Sequence, residues 1–196
     1  MRNPQRRQTL IDAAIEVLAE QGARGLTFRA VDAAAVVPAG TTSNYFTSRD
    51  DLLTQAGGRI YQRLAPDPAT LAAGLGGPRD RRRVHQFVAE LTERIESYRS
   101  GYLALLELRL EATRRPPLRE VLTTTVRADL EANVAYHCDT RLPGDAVTAV
   151  LLYLAVNWLI VERLTLPEAL PGVAGLSTED IVERILATPE PSRREG

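Results

Sequence analysis

The sequence predicts an all-α fold. Apolar residues recur every three or four positions through most of the chain, which is the period of a helix with one buried face. The segments with this period begin at capping residues and end at glycine or proline, and none shows the alternation of a strand. The chain has 196 residues, enough for one large domain or two small ones. Because residues 65–79 are rich in Pro and Gly, we predict domains at 1–64 and 80–190.

The first domain is predicted to begin with three helices. A face of apolar residues marks the first, from about Pro4 to Glu20, and Gly22 supplies its stop. Thr27 has the position and chemistry of an N-cap for a short second helix. Residues 36–40 contain Pro38 and Gly40 and break that helix. A very short third helix is predicted over Thr41–Phe46.

The same pattern continues to the end of the chain. Ser48 begins a Ser-x-x-acid capping box, which opens a fourth helix that reaches about Leu64. Beyond the boundary we predict five more helices. They cover Asp80–Arg99, Tyr102–Arg114, about Leu118 to Asp139, Asp145–Thr165, and a last segment capped by Ser177 or Thr178 that reaches Ala187.

The segment Ala146–Val161 is apolar on almost every side. Its 16 residues are fewer than the about 20 that a membrane-spanning helix needs. We therefore interpret it as a buried helix and expect no membrane partner. In a second domain as small as residues 80–190, one side of the helix can face the core and the other side a second subunit.

Composition and charge exclude several classes of function. The formal net charge is −1, so binding to nucleic acid must depend on local charge; residues 1–63 hold eight arginines and six acidic residues. Cys138 is the only cysteine, which rules out an intramolecular disulfide. With no signal-peptide pattern in view, we expect a cytoplasmic protein. His137, Cys138 and Asp139 are consecutive and point to different sides of a helix, so we expect no metal, no cofactor and no catalytic residues.

Residues 27–46 carry the chemistry of a DNA-binding motif. Two short helices lie close together, and the second has small polar residues over 41–44. A helix of about two turns is not stable alone, so its neighbours must hold it, and Tyr45 and Phe46 supply the packing. Its exposed side offers hydroxyls, an amide and backbone N–H groups, which suit phosphates and base edges in a major groove.

At this point the sequence resembles a known family. The segment RRQTLIDAAIEVLAEQGARGLTFRAVDAAAVVPAGTTSNYFTSRDDLL is similar to the DNA-binding domain of TetR-family regulators over about 60 residues. Three departures stand out. The family usually has Gly-Val-Ser where this chain has Val36–Val37–Pro38, so the Ser cap of the recognition helix is missing. The family often has Leu-Tyr where this chain has Thr42–Ser43, and often Lys where it has Arg49.

The resemblance implies which residues line the DNA. They are Thr27, Arg29, Gly40, Thr41, Thr42, Ser43, Asn44, Tyr45 and Arg49. Within this set we assign Thr27, Tyr45 and Arg49 to phosphates. Thr42, Ser43 and Asn44 are the candidates for base edges.

The resemblance also implies a role for the second domain, residues 80–190. The family dimerises through its last two long helices, here Asp145–Thr165 and Thr178–Ala187, and encloses a small-molecule pocket. Polar or aromatic residues within apolar helices are the ligand candidates: Tyr98, Tyr102, Tyr136, Asn157 and Trp158. Each of them is also consistent with an ordinary place in the core or the dimer interface. The function implied is a dimeric repressor that binds a palindromic operator and is released by a small molecule, although an activator fits the same pattern.

Two other classes of function remain open from the residues alone. A small all-α enzyme would need paired acids, a nucleophile with its base, or a metal cluster, and none is recognisable. A helical interaction module would use the same N-terminal head, residues 1–64, to bind a protein. Duplex DNA binding separates this last class from a regulator.

Overall fold

Helices make up the described part of the chain. The computed structural model describes residues 3–66, 68–169 and 177–187, and within them lie ten helices and no strand. The predicted all-α fold is therefore confirmed. In chain order the helices are α1 Pro4–Gly25, α2 Phe28–Ala34, α3 Thr41–Tyr45, α4 Arg49–Leu64, α5 Pro68–Leu75, α6 Arg81–Ser97, α7 Arg99–Ala112, α8 Pro116–Asp139, α9 Ala146–Thr165 and α10 Thr178–Leu186.

Packing divides the chain into two compact units. The first unit joins Met1–Ala65 with Ser97–Arg127, and the second joins Pro66–Glu96 with Ala128–Gly196. Helix α7 and the first half of α8 thus pack with the N-terminal helices, although the intervening residues Pro66–Glu96 belong to the second unit.

The core of the first unit forms where α1 meets α2, α4 and α7. Leu10 and Leu18 of α1, Leu52 of α4 and Leu108 of α7 are all completely buried. Fully burying one such side chain contributes about 1.5–3 kcal/mol. This core forms the frame on which the short helices α2 and α3 are held.

Helix α1 extends beyond its predicted end. Gly22, expected to stop it, has φ +66° and kinks the helix, which then continues to Gly25. A Cβ atom on Gly22 would lie 3.2 Å from Oε2 of Glu107 in α7. That carboxylate accepts a hydrogen bond of 2.9 Å from the Ala23 N–H, which satisfies a donor freed by the kink.

Two helices begin at prolines, in segments where the sequence predicted a break between helices. Pro116 and Pro117 lie in the first turn of α8, and Pro68 begins α5 inside the Pro- and Gly-rich segment 65–79. Proline is well tolerated at these positions because the first N–H groups of a helix have no intrahelical partner. The predicted start of α8 at Leu118 is thus two residues late.

The second unit has its own core, and helix α9 has two different faces. Val84, Leu142, Leu152, Val182 and Leu186 cluster together with neighbours from α6 and α10. On α9 the buried positions follow helical spacing: Ala149, Leu152, Val156, Ile160 and Leu164. The opposite face carries exposed apolar residues. By length and composition alone α9 could cross a membrane, a test that core helices also pass.

Candidate DNA-binding site

The predicted cap of the second helix is confirmed. Thr27 has an extended backbone, and its Oγ1 accepts a hydrogen bond of 3.1 Å from the Ala30 N–H. The next residue but one, Arg29, is exposed in the first turn of α2. Both side chains are therefore accessible to a ligand such as DNA.

Helix α3 is only five residues long and is held by a carboxylate from α2. Oδ2 of Asp32 accepts from the Gly40 N–H at 2.7 Å, and Oδ1 accepts from the Thr42 N–H at 2.7 Å. Oδ1 also accepts from the Thr42 hydroxyl at 2.5 Å. The Asp32 residue is only 3% exposed. Asp32 therefore supplies the cap that the sequence lacks at Pro38.

The charge state of Asp32 follows from its surroundings. Burial raises the pKa of its carboxyl, but hydrogen bonds from the Thr42 side chain and from three backbone N–H groups outweigh burial and lower the pKa below its usual value. The group is thus a carboxylate at neutral pH. The role of Asp32 was not predicted from the sequence. The signal was an acidic residue next to Val31 on the buried side of a short helix.

Thr42 requires a correction. Thr42 was predicted to contact a base edge, but its side chain is 0% exposed and its hydroxyl donates to Asp32. It occupies a buried position of α3, where a short polar side chain can reach the carboxylate. Thr42 therefore belongs to the support of the helix and not to its outer surface.

Four other predicted residues lie in α3 or at its start, and three of them are exposed. Ser43 and Asn44 are exposed, and the Ser43 hydroxyl donates to the Gly40 carbonyl at 2.8 Å. Gly40 is exposed with φ +88°, a backbone conformation that favours glycine. Thr41 is half-buried, and its hydroxyl donates to the Pro38 carbonyl at 2.5 Å. Asn44 is thus the longest exposed polar side chain of the helix.

The end of α3 is held from α1. The Arg7 guanidinium donates to the Tyr45 carbonyl at 2.7 Å and to Oε1 of Gln55 at 2.9 Å, and it lies 4.7 Å from the Phe46 ring centroid. Tyr45 itself is half-buried against the core. Arg7 is a second positioning residue that the sequence did not indicate, because its partners lie at the end of α3 and in α4, far from Arg7 along the chain.

Arg49 also requires a correction. We predicted that it binds phosphate, but its guanidinium is turned inward. Its Nε donates to the Leu26 carbonyl at 3.0 Å, and its Nη2 donates to the Ala23 carbonyl. These carbonyls lie at the end of α1, where the last helical acceptors lack the N–H donor four residues on; the Ala23 carbonyl also accepts from the Leu26 N–H at 3.3 Å. In this structure Arg49 fastens α4 to the end of α1.

The predicted ligand residues are divided between the two units. Tyr98 and Tyr102 belong to the first unit and are buried; the Arg63 guanidinium lies 3.7 Å from the Tyr98 ring centroid, and burial raises the pKa of Tyr102 to about 12. Tyr136, Asn157 and Trp158 belong to the second unit.

Within the second unit the three residues differ in their surroundings. Tyr136 meets Phe87 edge-on, with ring centroids 5.1 Å apart, and Asn157 donates to the Tyr153 carbonyl at 2.8 Å. Trp158 is 64% exposed, and its role as a ligand contact stays a prediction. It lies among the exposed apolar residues of α9.

The turn between α2 and α3 contains a strained residue. Val36 has φ +53° and is 89% exposed, although a left-handed backbone costs an ordinary residue about 1–2 kcal/mol. We expect Val36→Gly to raise the free energy of unfolding by about 1 kcal/mol, since part of the relief is offset by the greater freedom of glycine in the unfolded chain. Urea denaturation measures it. The control is Val37→Gly, which removes a side chain that packs on the core and should destabilise. A lower stability of Val36→Gly would contradict the strain.

The site and the fold together define a class of protein. A short helix with an exposed polar face, held by a preceding helix across a tight turn and packed on a helical frame, is a helix-turn-helix DNA-binding module. A profile described as "Bacterial regulatory proteins, tetR family" matches residues 10–56. A second, "Tetracyclin repressor-like, C-terminal domain", matches residues 79–188. The chain belongs to the TetR family and is a DNA-binding transcriptional regulator, a class without enzymatic activity.

Solved structures agree with this assignment. A transcriptional regulator of Streptomyces coelicolor A3(2) is 26% identical, with 94% of this chain and 100% of that chain covered and a TM-score of 0.67. Another TetR-family member from Streptomyces coelicolor A3 is 28% identical, with 93% and 96% covered and a TM-score of 0.63. The multidrug binding protein EbrR complexed with ethidium is 29% identical, with 93% and 99% covered and a TM-score of 0.63. A search of curated protein sequences gave no match.

Proposed function

We propose that the protein is a cytoplasmic, dimeric repressor that binds a palindromic operator and is released by a small molecule. Residues 1–64 would bind DNA, and residues 80–190 would bind the ligand and the second subunit. The observation that carries the proposal is the outward polar face of α3, where Ser43 and Asn44 are exposed while Asp32 and Arg7 hold the helix. Such a rigid, polar helix suits the major groove.

The dimer is proposed from α9. Its exposed face carries four large apolar side chains at four-, three- and four-residue spacing: Val147 (56% exposed), Leu151 (43%), Leu154 (57%) and Trp158 (64%). A contiguous apolar face of this kind favours an interface. A two-fold dimer presents two copies of α3 to DNA. A palindromic operator, with half-sites about 34–36 Å apart, has the same two-fold symmetry and could bind both copies at once.

Release by a ligand is proposed from the second unit and from the contacts of α7. The Tyr136 hydroxyl is buried and has no hydrogen-bond partner among the described residues, so a bound molecule could supply one. In the first unit, α7 contacts the head through Glu107 and Ala23, and Arg115 pairs with Asp50 at the start of α4. A ligand that favours a different placement of α7 and α8 would shift the head away from the operator geometry. EbrR, which has been solved with ethidium, makes small-molecule binding a reasonable expectation here.

The test is binding of the purified protein to its own upstream DNA. We expect a two-fold symmetric footprint and release by a ligand from a panel that includes ethidium. Absence of any bound site in the protein's own genome at moderate salt would contradict the proposal. A site that is bound but whose deletion lowers transcription would make the protein an activator.

Asn44 should read sequence within that site. We expect Asn44→Ala to change which bases are selected at one position of each half-site, with a loss of about 1–3 kcal/mol in discrimination there. Thermal stability should not change, because Asn44 is exposed. Selection from a randomised operator library measures this. An unchanged base preference would remove Asn44 from the reading surface.

A further inference from the structure

We propose that Asp32 and Thr42 form a buried positioning pair that sets the orientation of the recognition helix α3 and thereby the sequence selectivity of DNA binding. The inference rests on the proposed contact between α3 and DNA, and it concerns two residues that do not touch DNA themselves. It gives one physical explanation for two departures from the family pattern, Pro38 and Thr42.

The first step is that α3 cannot orient itself. It has five residues, so an isolated copy would not be helical, and its first N–H groups have no partner within the helix. Its N-cap residue is Gly40, which has no side chain, and no side-chain cap forms there. Pro38, two residues earlier, has no hydroxyl to offer.

The second step is that Asp32 takes this role from another helix. Its two carboxylate oxygens accept from the Gly40 and Thr42 N–H groups, each at 2.7 Å. Hydrogen bonds to a charged acceptor are about twice as strong as neutral ones and are sharply directional. Because the carboxylate is fixed in α2, these bonds fix the direction in which α3 leaves the turn.

The third step is the Thr42 hydroxyl. It donates to Oδ1 of Asp32 at 2.5 Å from a completely buried position, so it adds a side-chain bond to the backbone ones. An apolar residue at this position would fill space without such a bond. A rotation of α3 about its axis would break this contact first. The pair therefore controls which side of α3 faces outward, and with it the direction of the Asn44 side chain.

The experiment separates positioning from stability. Thr42→Val removes the hydroxyl but keeps the shape, Asp32→Asn removes the charge, and Thr42→Ser restores a hydroxyl. We expect Thr42→Val and Asp32→Asn to lower the ratio of operator affinity to random-DNA affinity by about 10- to 100-fold, the value of a charged hydrogen bond. Thr42→Ser should retain most of the ratio. Thr42→Val combined with Asp32→Asn should lower the ratio by less than the sum of the two separate effects in free energy.

Two further readouts and a control variant make the result decisive. The salt dependence of operator binding should keep its slope in both variants, because neither residue contacts phosphate. The control Thr92→Val, which removes a hydroxyl bonded at 2.8 Å to Val88 in α6, should leave the ratio unchanged. Amide hydrogen exchange at Gly40 and Thr42 without DNA should accelerate in Asp32→Asn, which tests the pair even if no operator exists.

Two outcomes would overturn the proposal. One is an unchanged selectivity ratio in both Thr42→Val and Asp32→Asn. The other is a loss of operator and random-DNA binding by the same factor, in step with thermal stability, which would give the pair a structural role only. Failure of the wild-type protein to bind any operator, with accelerated exchange in Asp32→Asn, would overturn the DNA-binding proposal and leave the cap intact.

Discussion

A Leu154→Glu/Trp158→Glu double variant is expected to be monomeric and to lose at least 100-fold in operator affinity. Leu154 is 57% and Trp158 64% exposed on the same face of α9. Four residues apart, the two side chains lie one turn apart, so two carboxylates there would face their copies across a two-fold interface. Like charges in a desolvated interface are strongly unfavourable. A monomer engages one half-site and loses the effective concentration of the second head, worth about 10²- to 10⁴-fold.

The double variant should still fold, because the other face of α9 is unchanged. Leu152, Val156 and Ile160 remain buried in the second unit. Sedimentation velocity measures the oligomeric state, and fluorescence anisotropy with the operator measures affinity. The control is Leu110→Glu, which adds a charge at another exposed leucine, on α7, and should stay dimeric. A dimeric double variant with wild-type affinity would place the interface elsewhere.

Local rules explain why so much of the head was predictable. Thr27 and Ser48 cap the helices that follow them, and each bond spans three residues. Such signals need only the local sequence. The fold class and the approximate position of α3 follow from the same short-range pattern.

The contacts that orient α3 were not predictable in this way. Asp32 reaches Thr42 across ten residues, Arg7 reaches Tyr45 across 38, and Arg49 reaches Ala23 across 26. The sequence shows charged residues near a motif but not where each side chain points. An arginine beside a DNA-binding helix therefore resembles a phosphate contact until the structure shows its carbonyl acceptors.

The exposed side of α9 shows a related limit. An amide and an indole in an apolar helix suggested a ligand pocket, but Asn157 bonds its own helix and Trp158 faces outward. Periodicity locates the face that a helix buries within its own chain. It does not distinguish a second apolar face that awaits a partner from a wall of a pocket, because both need the same residues.

Arg49→Ala is expected to lower the free energy of unfolding by about 2–3 kcal/mol. The guanidinium donates to the Leu26 and Ala23 carbonyls, and charged hydrogen bonds of this kind contribute about 1.5–3 kcal/mol each, with part recovered by water at this half-buried site. Removing them frees the end of α1 from the start of α4. Operator affinity should fall only to the extent that the head unfolds. The salt dependence measured on the folded fraction should keep its slope.

Arg29→Ala provides the matched comparison, because Arg29 is exposed at the start of α2. If Arg29 contacts phosphate, its loss should weaken binding to all sequences, reduce the slope of log affinity against log salt by about 0.9, and leave the unfolding curve unchanged. The two arginines thus have opposite signatures although the sequence assigned both to DNA. A shallower salt slope in Arg49→Ala, with wild-type stability, would mean that its guanidinium leaves the two carbonyls and turns to the phosphate when DNA binds. That result would require the end of α1 to be held by other contacts in the complex, and Glu107, bonded to the Ala23 N–H, is the residue placed to do it.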